Sequence, residues 1–177
     1  MTSKDQFELM ARYNQWMNES IYEAGSELDH SILNTDQGAF FKSIIGTLNH
    51  ILVGDIIWMQ RFSEHPSDFS ALRNIKVMPK PESLSTLLYE DFEALRDARY
   101  LIDIALIELC DQIEVYDLAH PLAYCNMQGN KFEKRFGYLL QHLFNHQTHH
   151  RGQLTTLLSQ NGIDLAMTDL LAIIPEA

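Results

Sequence analysis

The stretch Gln141-His142-Leu143-Phe144-Asn145-His146-Gln147-Thr148-His149-His150-Arg151-Gly152-Gln153 carries half of the chain's eight histidines. Leu139, Leu143, His146, His150, Gln153 and Leu157 follow the 4-3-4-3-4 spacing of one helix face, so two imidazoles and an amide interrupt an apolar stripe and point inward. Burying imidazole among leucines costs free energy unless both ring nitrogens find partners, and two histidines one turn apart can share a metal ion. The alternative for such a pair is two core histidines satisfied by hydrogen bonds.

A catalytic zinc-type site takes three protein ligands and leaves a position open, so the pair needs a third. His50 is the best candidate. It lies in the helical pattern Ile44-Ile45-Gly46-Thr47-Leu48-Asn49-His50-Ile51-Leu52-Val53-Gly54. Gly46 and Gly54 sit one turn before and after it, and glycine inside a helix is costly, so this pair implies that space is kept beside the histidine. Close helix packing is the competing explanation.

With His50 and then His146 and His150 directly before Arg151-Gly152-Gln153, the chain resembles the DinB-like (DinB/YfiT) superfamily of metal-binding proteins. The likeness covers nearly the whole chain and is also carried by Ala11-Arg12-Tyr13-Asn14-Gln15-Trp16-Met17-Asn18 and by Asp55, Trp58 and Arg61 after His50. The resemblance implies an all-α four-helix bundle and a three-histidine divalent metal site. It also implies membership of a group that includes thiol-dependent transferases, hydrolases and many proteins of unknown activity.

Composition agrees with one globular domain spanning residues 1–177: 46% of residues are apolar and 10% aromatic. The formal charge is −11 with no Lys/Arg cluster, which argues against nucleic acid or an anionic membrane as partner and favours a small-molecule substrate, cationic or neutral. Cys110 and Cys125 do not resemble a disulfide framework, and the polar start Met1-Thr2-Ser3-Lys4-Asp5 is not a signal peptide, so a cytoplasmic location is expected. Apolar runs are short and carry Asp55, Asp103 and Glu108, so none is expected to span a bilayer.

Helix one is predicted from Ser3 to about Leu28, with Met10, Tyr13, Asn14, Met17, Ile21, Ala24 and Leu28 facing inward. Helix two is predicted from about Gln37 to Glu64, ended by His65-Pro66. The long stretch 65–82 with Pro66, Pro79 and Pro81 predicts a crossover between helices two and three. Helix three is predicted from Pro81 or Glu82 to Ile113, with Leu84, Leu88, Phe92, Leu95, Ile102, Leu106 and Leu109 on its packing side. It offers no histidine and reads as packing alone.

Between Glu114 and Glu133 the helical period stops, and Gly129-Asn130 after a short alternation predicts a small hairpin or loop that could cover the site. Gly162 is expected to stop helix four, and the apolar tail from Ile163 to dock on the body or on a second copy in a homodimer.

The position that is glutamate in the His-Glu-x-x-His protease signature is Gln147, which cannot act as a general base. Asp55 and Asp117 remain candidates to approach the site. A three-histidine metal would still lower the pKa of a bound water or thiol, and a thiol needs no separate base, so the pattern favours a metal-dependent thiol transferase acting on small molecules with a low-molecular-weight thiol. Metal-dependent hydrolysis and a non-catalytic metal-binding, stress-related role are the alternatives. Three imidazoles suit zinc, nickel or iron, and also copper. His142 and His149 flank the pair and read as neighbours of the ligands, and Arg151 as the partner of an acidic group or of a substrate carboxylate.

Overall fold

The computed structural model describes residues 2–176. Its helices are α1 (Ser3–Gly25), α2 (His30–Asn34), α3 (Ile44–Phe62), α4 (Arg73–Lys76), α5 (Phe92–Gln112) and α6 (Phe136–Gln160), with a two-stranded sheet of β1 (Pro121–Cys125) and β2 (Lys131–Arg135). α1 packs on α5 and α6, and α3 packs on α6 and α5, around a continuous apolar core. Among the described residues no helix is long and apolar enough to cross a membrane.

α1 starts with a reciprocal cap. Thr2 Oγ1 accepts from the Asp5 amide at 3.2 Å while the Asp5 carboxylate accepts from the Thr2 amide at 2.6 Å, which satisfies two otherwise orphaned donors. The helix stops at Gly25, three residues before the expected end, and the chain turns into the separate short α2. Of the expected inner stripe, Asn14, Met17, Ile21 and Ala24 are buried, while Met10, Tyr13 and Leu28 lie at the core's edge.

The largest departure from the expected boundaries is at α3, which begins at Ile44 and not at Gln37. Lys42 adopts a left-handed backbone with φ 69°, which no helix accommodates, and Ser43 then caps the helix by accepting from the Gly46 amide at 3.0 Å. The residues before it form a tight turn bridged from Ala39 to Lys42. Gly46 makes that turn possible: a Cβ there would sit 2.1 Å from the Phe41 carbonyl oxygen.

α5 likewise begins later than expected, at Phe92, where Asp91 caps by accepting from the Ala94 amide at 2.9 Å. Leu84 and Leu88 therefore lie in the connection and not on the helix. The side chain of Asn49, on α3, holds that connection in place. Its oxygen accepts from the Leu88 and Tyr89 amides at 2.8 and 3.0 Å, and its nitrogen donates to the Tyr89 carbonyl at 2.8 Å. The long connection between α3 and α5 is present as expected, and so is the hairpin, paired antiparallel from Pro121↔Arg135 to Cys125↔Lys131 with Gly129 at φ 82° in its turn. α6 ends at Gln160, and Gly162 at φ 82° follows. The Tyr13 hydroxyl donates to the Thr168 carbonyl at 2.5 Å, tying the tail to α1.

Candidate metal centre

His50 on α3 and His146 and His150 on α6 meet between the two helices. His50 Nε2 lies 3.0 Å from His146 Nε2 and 3.1 Å from His150 Nε2. Three imidazole nitrogens on one tetrahedral zinc-sized ion would lie about 3.3 Å apart, given bonds of about 2.0–2.1 Å. Among the described residues these three histidines are the group whose ligand atoms cluster closely enough to hold a metal ion, and no carboxylate or thiol joins them.

Hydrogen bonds fix which nitrogens face the centre. His50 Nδ1–H donates to the Leu84 carbonyl at 2.7 Å, and His150 Nδ1–H donates to Gln153 Oε1 at 2.8 Å. With those protons on Nδ1, the two Nε2 lone pairs of the neutral rings face each other with no proton to share, an arrangement that a cation between them relieves. Burial lowers the pKa of His50 and His150, and it takes His146, also surrounded by the other imidazoles, down to about 3. The rings stay neutral at pH 7, the protonation state a ligand needs.

The two glycines prove different in purpose. A Cβ on Gly54 would lie 2.7 Å from His146 Cε1, so Gly54 is the gap into which that ring fits. Gly46 serves the 39–42 turn, which lays Phe41 face to face on His50, with ring centroids 3.7 Å apart, and edge-on to His150 at 5.6 Å. Phe41 is thus the side chain that covers the candidate ligands. Its only trace in the sequence is an aromatic pair, Phe40-Phe41, just ahead of a capping serine.

The hairpin expected to lie over the site meets α3 farther along. Tyr124 packs edge-on to Trp58 at 5.2 Å, and Trp58 in turn touches the His142 ring at 5.1 Å. His142 and His149 do not join the convergent set: His142 lies against Trp58, and His149 is exposed and within 3.4 Å of the Gln153 amide nitrogen.

Beneath the histidines lies a buried polar network that sequence reasoning missed. Arg99 of α5 pairs with Asp55 of α3, and its second nitrogen makes an ion-pair contact 3.0 Å from Asp103, off the hydrogen-bond direction. Asn14 and Asn18 of α1 both donate to Asp103 at 3.0 Å. Arg151 donates to Asn14 and, at 3.0 Å, to Gln147 Oε1. It also donates to the Thr148 hydroxyl at 3.4 Å; buried, with two amides and a hydroxyl as partners, it is neither at the site mouth nor in a simple pair with an acid. Burial lowers its pKa to about 10. For Asp55, burial outweighs the pull of Arg99 and raises the carboxyl to about 6.

The sequence signal for this network was the 4-3-4 spacing Leu95, Arg99, Ile102, Leu106, which puts a charge on the apolar face. Asp55 and Asp117, the two carboxylates expected to approach the histidines, are both engaged elsewhere. Asp117 accepts from the Glu114 amide at 2.8 Å and from Ser67 Oγ at 2.6 Å.

The DinB family model matches residues 1–176. The chain is 30% identical over 159 residues to Protein DinB of Bacillus subtilis (strain 168), an alignment covering 89% of this chain and 87% of that protein. No solved structure matches. On the family match across its length, and with three convergent histidines at its centre, the chain belongs to the DinB family.

Proposed function

We propose that His50, His146 and His150 hold one divalent transition metal within a four-helix bundle, and that the protein is a metal-dependent transferase joining a small thiol to a small electrophilic molecule. The observation that carries this reading is the combination of three neutral, convergent imidazole nitrogens with no carboxylate beside them. A bound divalent cation of this class lowers the pKa of a thiol or water in its open position. A thiol so ionised is already a strong nucleophile and needs no base from the protein, whereas hydrolysis gains from a positioned base that this site lacks.

The protein's own residues orient the centre. Leu84 and Gln153 hold the outer ring nitrogens of His50 and His150, and Phe41 shields the His50 ring from water. Free Cys110 and Cys125 and the acidic composition support a cytoplasmic role on small molecules and not on nucleic acid or membranes.

The test is a panel of low-molecular-weight thiols and electrophiles incubated with protein loaded with zinc, nickel or iron. Thiol consumption that disappears on chelation is the expected result. Ester or amide turnover without thiol, or no turnover with any loaded metal, would overturn the reading.

A further inference from the structure

His50, Gly54, Trp58 and Arg61 follow a 4-4-3 spacing and form one stripe of α3. α6 answers it rung by rung: His150 stands against His50, His146 against Gly54 and His142 against Trp58. Arg61 is the next rung, about 16 Å from His50 at 1.5 Å per residue. Its guanidinium lies 4.5 Å from the centre of the Trp58 ring and 5.1 Å from that of Tyr124, and one nitrogen donates to the Cys125 carbonyl at 2.9 Å. Among the described residues no acidic group pairs with it, although the chain carries a net charge of −11. A half-buried, aromatic-clamped guanidinium left without a carboxylate is a preformed anion fork.

Arg61 walls a cavity of about 470 Å³ together with Lys76, Lys80, Tyr124 and Cys125. Glu64, in the same wall, holds Lys76 at 3.2 Å, while Lys80 pairs with no acidic group among the described residues. Two cations therefore remain for a ligand. We propose that this cavity binds a small organic acid through its carboxylate. The assignment of the cavity stands on its own geometry.

The chain has two tryptophans, so a Trp16→Phe background leaves Trp58, in contact with Arg61, as the reporter. Malonate is titrated into the full-length protein at constant ionic strength, with and without metal, while Trp58 emission is followed. Saturable binding with Kd around a millimolar is expected, a strength suited to a few charge-assisted hydrogen bonds. Kd should rise at least tenfold in Arg61→Gln, less in Arg61→Lys and severalfold in Lys80→Gln, and malonamide should not bind. Inorganic phosphate should bind more weakly than malonate.

No saturable response, equal binding of malonamide, tighter binding of phosphate or an unchanged Kd in Arg61→Gln would each overturn the proposal. If Arg61→Gln does not fold, an unchanged Kd in the exposed Lys80→Gln does the same. Malonate binding that is unaffected by chelation separates failure of the metal centre from failure of this cavity.

Discussion

The side-chain amide of Gln147 donates to Asp55 at 2.8 Å, and through that bond the histidine-bearing α6 is locked to α3 inside the core. Gln147 is fully buried and turned away from the convergent nitrogens, so its identity serves the fold. Gln147→Glu, which would restore the protease signature, is expected to destabilise the protein by about 1–3 kcal/mol, because Asp55 loses a donor and gains a buried carboxylate neighbour. It should confer no peptidase activity. Urea unfolding and a peptide cleavage assay check both halves, and cleavage by the variant would show that residue 147 can reach the metal.

Two helical glycines should respond in opposite directions to the same methyl group. Gly54→Ala places a Cβ against the His146 ring, which a neighbouring helix holds in place, and metal affinity should fall at least tenfold, on the scale of lost support for a ligand. Gly152→Ala meets nothing within 4 Å and should stabilise the protein by about 0.5–1 kcal/mol through helix propensity alone. Metal titration and thermal unfolding of the two variants, taken side by side, test the claim; equal metal affinities would refute it.

Acid should destabilise the metal-free protein through the histidine cluster. Burial depresses the folded-state pKa values of His50, His146 and His150 below 6.5, so as pH falls below that value the unfolded chain takes up protons that the folded one refuses, and stability drops. Asp55 acts in the opposite sense between 3.8 and about 6, because its raised carboxyl holds a proton in the folded state. The histidine contribution is isolated by comparing the pH dependence of unfolding with that of His146→Asn, which should be flatter below 6.5. An identical slope in the variant would contradict the assignment.

Much of the site was readable because period and chemistry coincide on α6: Leu139, Leu143, His150 and Leu157 are all buried as the stripe requires, with half-buried His146 among them. What could not be read depends on partners distant in sequence. Leu84 and Leu88 mimic helical spacing, yet Asn49, roughly forty residues earlier, pins that segment as an irregular connection and turns the Leu84 carbonyl toward His50. Spacing puts Arg99 on the apolar face of α5, but its partners Asp55 of α3 and, through Asp103, the α1 asparagines come from stretches far away in sequence. The early start assigned to α3 overlooked local chemistry that was present, since Ser43 is a strong cap and Gly38 a break ahead of it.

The ligand set is tested most directly by metal affinity in five single variants: His50→Ala, His146→Ala, His150→Ala, His142→Ala and His149→Ala. The first three each remove a nitrogen from the convergent trio and should abolish tight binding. The last two remove a ring packed edge-on against Trp58 and an exposed ring, and should cost no more than the roughly 10–100-fold of a supporting contact. If His142→Ala or His149→Ala proves as damaging as His150→Ala, or if His50→Ala binds metal as tightly as the unmodified protein, the three-histidine centre is wrong.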